Sequence, residues 1–201
     1  ERRNRLSYET WEKLQSSPSG NIDRELAMQC APLITGLKAS NLLTIPWSEY
    51  ESMLEVLRGS KILSFYLGET ENRGVFLLYR MDKMEKLLQD EEVAAFLQER
   101  GYDELTLNSV LTSFRMRYLA YREEKAEFPH EMGILLEYPV EDVEGFIRYG
   151  GRNYLCSGYW KVYKDRESKQ ELFRKFEYAR ENLIQLLSFQ VGMKDILAIC
   201  Q

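Results

Sequence analysis

Two β-rich apolar runs, Lys61–Leu67 and Gly74–Arg80, flank a polar loop, Gly68–Arg73. The pattern reads as a β-hairpin with a longer loop. A lone hairpin is marginal in water, so the chain must bury this one under further strands or helices. Most of the remaining sequence supplies helices. Trp47, Tyr50, Leu54 and Leu57 recur at helical spacing after Pro46, and Gly59 ends that segment. Met81–Gln89 and Glu91–Arg100 read as short helices. Leu107, Val110, Leu111, Phe114, Tyr118 and Tyr121 mark one face of another, capped by Thr106 or Asn108. Val140, Val143 and Ile147 mark the inner side of a helix opened by Pro139 and stopped by Gly150-Gly151. Leu172, Phe176, Ala179, Leu183, Leu186 and Leu187 describe a long amphipathic helix ending before Gly192, with a last turn or two over 193–200.

Three further short runs read as strands: Asn41–Ile45, Met132–Glu137 and the alternating Tyr154–Tyr163. The expected fold is therefore α+β: a small hairpin-centred mixed sheet of four or five strands, helices packed largely on one face, and a long C-terminal helix. At the start, residues 7–15 can form a short helix before the linker Ser16-Ser17-Pro18-Ser19-Gly20. Residues 1–20 thus read as an N-terminal extension or arm, and 21–201 as one domain. Asn21 or Asp23 can cap a helix toward Cys30, which Ala31-Pro32 restarts or kinks.

Composition narrows the function classes. No run approaches the length of a membrane span. The net charge of −5 disfavours a general nucleic-acid binder. The charge is uneven, with the acidic stretch 123–144 followed by the basic stretch 148–180. Such runs usually solvate a face, and the sharper alternative is an anion-binding patch on the second stretch. Cys30, Cys156 and Cys200 form no paired pattern, which suits a reducing cytoplasm. The chain begins at Glu1 rather than methionine, so an earlier, removed signal stays open.

The chemical motifs are few. Walker, dinucleotide-binding, nucleophile-elbow and HExxH patterns are absent. The sole histidine, His130, and three scattered cysteines give no metal-site spacing, so no metal is expected, and the sequence names no cofactor. His130 either caps or bridges backbone groups or serves a site as base, ligand contact or metal ligand. In an extended chain its neighbour Glu131 would point to the opposite face. Cys30 and Cys156 read as buried small residues, and either one paired with His130 would be a thiolate nucleophile. The aromatic stretch 153–163 reads as sheet core, or as a pocket wall for a planar ligand with Lys161 or Arg152 supplying charge. Lys38 and Asn41 put a cation and an amide near a turn.

Three stretches resemble an uncharacterised bacterial family, DUF3793, a domain of unknown function. Cys30-Ala31-Pro32-Leu33-Ile34-Thr35-Gly36-Leu37-Lys38-Ala39-Ser40-Asn41-Leu42 resembles its opening. The second, Phe128-Pro129-His130-Glu131-Met132-Gly133-Ile134-Leu135-Leu136-Glu137-Tyr138-Pro139, runs on to Asp142-Val143-Glu144-Gly145-Phe146-Ile147 and looks like its central motif. Cys156-Ser157-Gly158-Tyr159-Trp160-Lys161-Val162-Tyr163 looks like its third. The resemblance covers roughly residues 22–190 and implies no activity. It marks Cys30, Lys38, Asn41, His130, Glu131, Asp142, Cys156 and Trp160 as motif positions. Glu137 departs from it, standing where the family more often has a small residue such as glycine.

The leading expectation is a soluble domain that binds a small anionic or planar ligand, or a protein partner, without obvious catalysis. The candidate ligand-binding residues are Lys38, Asn41, His130, Glu131, Arg152, Cys156, Trp160 and Lys161. Two alternatives stand beside it. One is a thiol enzyme with Cys30 or Cys156 as nucleophile and His130 as base. The other is an interaction module built on helix 166–190. Oligomeric state is not specified by the sequence.

Overall fold

A computed structural model describes residues 21–200, so the expected helix at 7–15 and the arm 1–20 lie outside the described residues. Helix α1 (Asn21–Ile34) buries Ile22, Leu26, Ala27, Cys30, Leu33 and Ile34. It is not interrupted at Ala31. Pro32 falls in the last turn, and its carbonyl accepts from the amides of Leu37 at 2.7 Å and Lys38 at 3.0 Å. These bonds close the helix end and turn the chain into strand β1 (Ser40–Pro46).

After a single 3₁₀ turn (Trp47–Glu49) come helix α2 (Tyr50–Leu57) and strands β2 (Ile62–Thr70) and β3 (Arg73–Arg80). The hairpin loop is shorter than the sequence suggests. Glu71 and Asn72 both take positive φ, at 48° and 63°, so a two-residue turn joins the strands. The sheet order is β1-β3-β2. Both pairings are antiparallel, so the sheet is not mixed.

Helices α3 (Met81–Leu88), α4 (Glu91–Gln98) and α5 (Leu107–Arg122) follow, with Asp90 and Thr106 as the caps of α4 and α5. The run Met132–Glu137 is not a strand. Helix α6 (Glu131–Leu135) occupies it, and burial of four of its five residues suits a short helix packed on several sides. Helix α7 (Val140–Tyr149) begins after Pro139 and ends before Gly150, as expected. Its Ile147 is exposed rather than inward. Tyr154–Tyr163 is not one strand. It folds as a ribbon of two short strands, β4 (Cys156–Ser157) and β5 (Lys161–Val162), separate from the main sheet. The five strands thus divide as three and two. Helix α8 (Arg166–Ser188) and helix α9 (Met193–Ile199) complete the chain.

The helices cover both faces of the sheet, not one. Leu43, Ile45, Ile62, Phe76 and Leu78 pack with α1, α2, the second half of α8, and α9. Leu67, Val75, Leu77 and Tyr79 pack with α3 to α7. Central strand β3 is therefore buried on both sides, which explains why Val75–Tyr79 is continuously apolar instead of alternating. Buried Arg80, at the end of β3, donates to the carbonyls of Leu33, Ile34 and Cys200, joining the last turns of α1 and α9. A third cluster of Trp160, Val162, Phe173 and Phe176 binds the ribbon to the first half of α8. No described helix is long and apolar enough to cross a membrane.

Candidate functional site

The ribbon packs closely against α7 and α8 because two glycines leave room for aromatic rings. A Cβ at Gly145 would lie 2.4 Å from a ring carbon of Tyr163, and one at Gly158 would lie 2.3 Å from the ring of Phe173. Asp142, on the first turn of α7 and 1 % exposed, fastens the contact. Its Oδ1 accepts from the amides of Tyr163 at 2.7 Å and Lys164 at 3.2 Å, and its Oδ2 from the Trp160 indole at 2.7 Å. Three donors satisfy a buried carboxylate that would otherwise be costly.

Between α6, α7 and the ribbon lies a cleft of about 420 Å³. Tyr138 and Trp160 form one wall, stacked with ring centroids 4.7 Å apart. Phe173 meets Trp160 edge-on at 4.6 Å, so the indole is held from behind as well as by Asp142. His130, Phe128 and Phe146 line the same cleft, with the imidazole 5.4 Å from the Phe128 ring and 5.7 Å from that of Phe146. Lys161 supplies a cation to the same cleft. Its Nζ stands 5.6 Å from the Phe146 ring and 5.1 Å from Tyr154, and donates to the Gly151 carbonyl at 2.7 Å. An ammonium has three N–H groups, so capacity for a ligand remains.

Burial holds the His130 imidazole below its ordinary pKa, and Arg100 adds to this against the pull of Glu131 and Glu127. The ring is therefore neutral near pH 7 and can donate through one nitrogen and accept through the other. Burial also pushes the Tyr138 phenol up to about 12, so it stays protonated.

Of the eight residues expected at a ligand site, the cleft brings together His130, Trp160 and Lys161. The other five serve elsewhere. Glu131 starts a helix rather than lying in an extended chain. It is buried against α5 and the α4–α5 connection, accepting from Tyr102 Oη and Arg117 Nη1 at 3.0 Å each. The Oδ1 of Asn41 accepts from the Leu33 amide at 3.2 Å, beside Pro32. Arg152 is exposed in the loop before the ribbon. Cys156 packs against the ribbon's own aromatic cluster.

Lys38 is buried behind the aromatic wall, its Nζ 5.4 Å from the Tyr138 ring and 6.0 Å from that of Phe176. Burial lowers its pKa to about 8, against the raising effect of Glu137. Glu137 itself has φ 57°, the left-handed region that favours glycine. Its carboxylate accepts from the Ala39 amide at 2.6 Å, so this departure from the family pattern brings an acid to the loop carrying Lys38.

The cysteines do not converge on His130. Cys30 is fully buried on the opposite side of the sheet, its thiol facing the Leu42 carbonyl at 3.7 Å, and burial drives its pKa upward. Burial also raises that of Cys156, whose charged neighbours are Arg166 and Asp142. A thiol whose ionisation is suppressed is a poor nucleophile near neutral pH. Among the described residues, no cluster of His, Cys, Asp and Glu could hold a metal ion.

Sequence reading missed Tyr138, Phe128 and Phe146 as cleft walls. Their signal was present as aromatic residues one or two positions from Pro129, Pro139 and Gly145, at element ends where sites gather. The buried stripe of α8, including Phe173, Phe176, Leu183 and Leu187, is spent on the core.

No curated protein and no solved structure matches the chain significantly. The family model of DUF3793, described as a protein of unknown function, matches residues 26–197. With the match spanning most of its length, the chain belongs to the DUF3793 family.

Proposed function

We propose that the chain is a binding domain whose cleft takes a small planar molecule bearing an anionic group, without acting on it covalently. The carrying observation is the Tyr138–Trp160 stack, held by Asp142 and Phe173, in a cleft shared with the Lys161 ammonium. Such a wall accepts a flat ring by stacking, while a single cation orients its charged substituent. Neutral His130 adds one polar contact in the same cleft. The free thiols of Cys30, Cys156 and Cys200 suit work in the reducing cytoplasm.

The test uses naphthoate as probe, with calorimetry and indole fluorescence. Naphthoate should bind and quench Trp160, with the quench lost in Trp160→Phe. Affinity should fall about tenfold in Lys161→Met. The uncharged naphthamide should bind the wild type more weakly than naphthoate. Absence of binding by either probe, or binding untouched by Lys161→Met and Phe146→Ala together, overturns the reading.

A further inference from the structure

Behind the cleft wall, the exit of α1, the middle of α8 and the ribbon turn bring together hydrogen-bond donors without a protein partner among the described residues. Lys38 is 3 % exposed and Arg180 7 % exposed. Among the described residues the Lys38 ammonium makes no hydrogen bond or ion pair, only its approaches to the Tyr138 and Phe176 rings. Arg180 makes neither, and its Nε is buried without a partner. The Tyr159 hydroxyl is likewise buried and unpartnered.

The three groups gather around Phe176. Its ring lies 6.0 Å from Lys38 Nζ and 5.0 Å from the Tyr159 ring. Arg180 follows it by one helical turn on the same buried stripe, within electrostatic reach of the Tyr159 phenol. Two carboxylates neighbour the group, Glu137 toward Lys38 and Glu177 toward Tyr159. Glu137 is exposed and committed to the Ala39 amide, and Glu177 is half-exposed. Neither forms an ion pair with these cations.

Unpartnered buried cations are costly, and native proteins rarely keep them without a use. We propose that Lys38, Arg180 and Tyr159 form a subsite for an oxyanion, a phosphate or carboxylate group, adjoining the cleft. An arginine fork, an ammonium and a phenol match the several acceptor oxygens of such a group. Tyr159 lines the cleft and Tyr138 separates it from Lys38, so the anion can be a free ion or the charged end of a longer cleft ligand. The subsite stands apart from the naphthoate reading, because neither Lys38 nor Arg180 lines the cleft.

Calorimetry and thermal denaturation with inorganic phosphate, against chloride at equal ionic strength, test it. A second arm uses naphthyl phosphate against naphthol. Phosphate should raise the melting temperature saturably, and Arg180→Gln and Lys38→Met should each weaken its binding about tenfold while naphthoate binding persists. Dependence on Arg180 for naphthyl phosphate but not for the free ion assigns the site to a cleft ligand and also supports the proposal. A wild-type readout needs no variant: the Lys38 side-chain amine, followed by nitrogen NMR, should titrate at higher pH once either phosphate is bound. A chloride effect equal to that of phosphate, with naphthyl phosphate binding no tighter than naphthol, overturns it. So does binding of both phosphates unchanged in the two variants with Lys38 titration unmoved.

Discussion

The Trp160 indole donates to a carboxylate oxygen of Asp142 at 2.7 Å, across the gap between the ribbon and α7. The other oxygen of Asp142 takes two ribbon amides, so one side chain fixes both the position of the ribbon and the plane of the cleft wall. Asp142→Asn keeps the shape but leaves one amide nitrogen facing donors. If the carboxamide oxygen stays with the ribbon amides, its NH₂ opposes the indole N–H. We expect a loss of about 2 to 3 kcal/mol in denaturant unfolding, the scale for stranding a buried hydrogen-bonding group. Near-ultraviolet circular dichroism should show a loosened indole. An unchanged Trp160 signal and unchanged stability would assign the wall to Phe173 and Tyr138 alone.

Lys38 gives a pH signature of its own. Its folded pKa of about 8 lies below the unfolded value of about 10.4, so between these values the unfolded chain binds more protons. The cost of burying the ammonium is present in full below about pH 8 and disappears as pH rises toward 10.4. In buffer free of phosphate, Lys38→Met should therefore be the more stable protein at pH 7, by about 3 kcal/mol at most. Its advantage should shrink across that window. The groups facing the ammonium are Glu137 from the α6–α7 connection, Cys30 from α1, and the rings of Tyr138 and Phe176. Unfolding curves of both proteins at several pH values check the prediction, and their difference removes the tyrosine titrations they share.

The limits of sequence reading have identifiable causes. The hairpin was legible because two apolar β-rich runs of matched length stand close together, and the positive-φ pair Glu71-Asn72 set its turn where a longer loop was expected. Met132–Glu137 is a helix and turn where a strand is expected, because four apolar side chains carry no usable period and burial on several sides erases whatever period exists. The placement of helices on both faces was encoded in β3, whose unbroken apolar run Val75–Tyr79 demands two covers. His130, Trp160 and Lys161, singled out by their chemistry and by the motif ends they occupy, line one cleft. Lys38 was found as a cation, but its burial depends on α8, more than a hundred residues away. Arg180 stands in the sequence as one member of the basic stretch 148–180. Its spacing of four from Phe176 placed it on the buried stripe, a signal that its charge obscured.

His130 provides the acid-side counterpart. Burial lowers its pKa, with Arg100 acting in the same direction and Glu131 and Glu127 opposing. On acidification the unfolded chain takes up this proton first, near pH 6.5. Stability from the neutral ring is thus complete above about pH 6.5 and declines as pH falls toward the folded pKa. His130→Gln should flatten that decline relative to the wild type. The chain has one histidine, so a single imidazole carbon-bound proton resonance reports the titration directly. A midpoint at or above about 6.5 in the folded protein would contradict the burial argument.

Glu137 offers a trade that can be separated into its parts. Its left-handed φ costs a non-glycine residue about 1 kcal/mol, and its carboxylate gains the Ala39 amide. Glu137→Gly removes the strain and the hydrogen bond together, so net stability should shift by less than about 1 kcal/mol. Glu137→Ala keeps the strain and loses the bond, and should be the less stable of the two by about 1 kcal/mol. Both changes withdraw the carboxylate that supports the Lys38 charge, so both should move the Lys38 titration further down from its already lowered position. Nitrogen NMR of the lysine side chain measures that shift. If it is the same in the two variants while their stabilities differ, backbone strain and charge support act independently at this position.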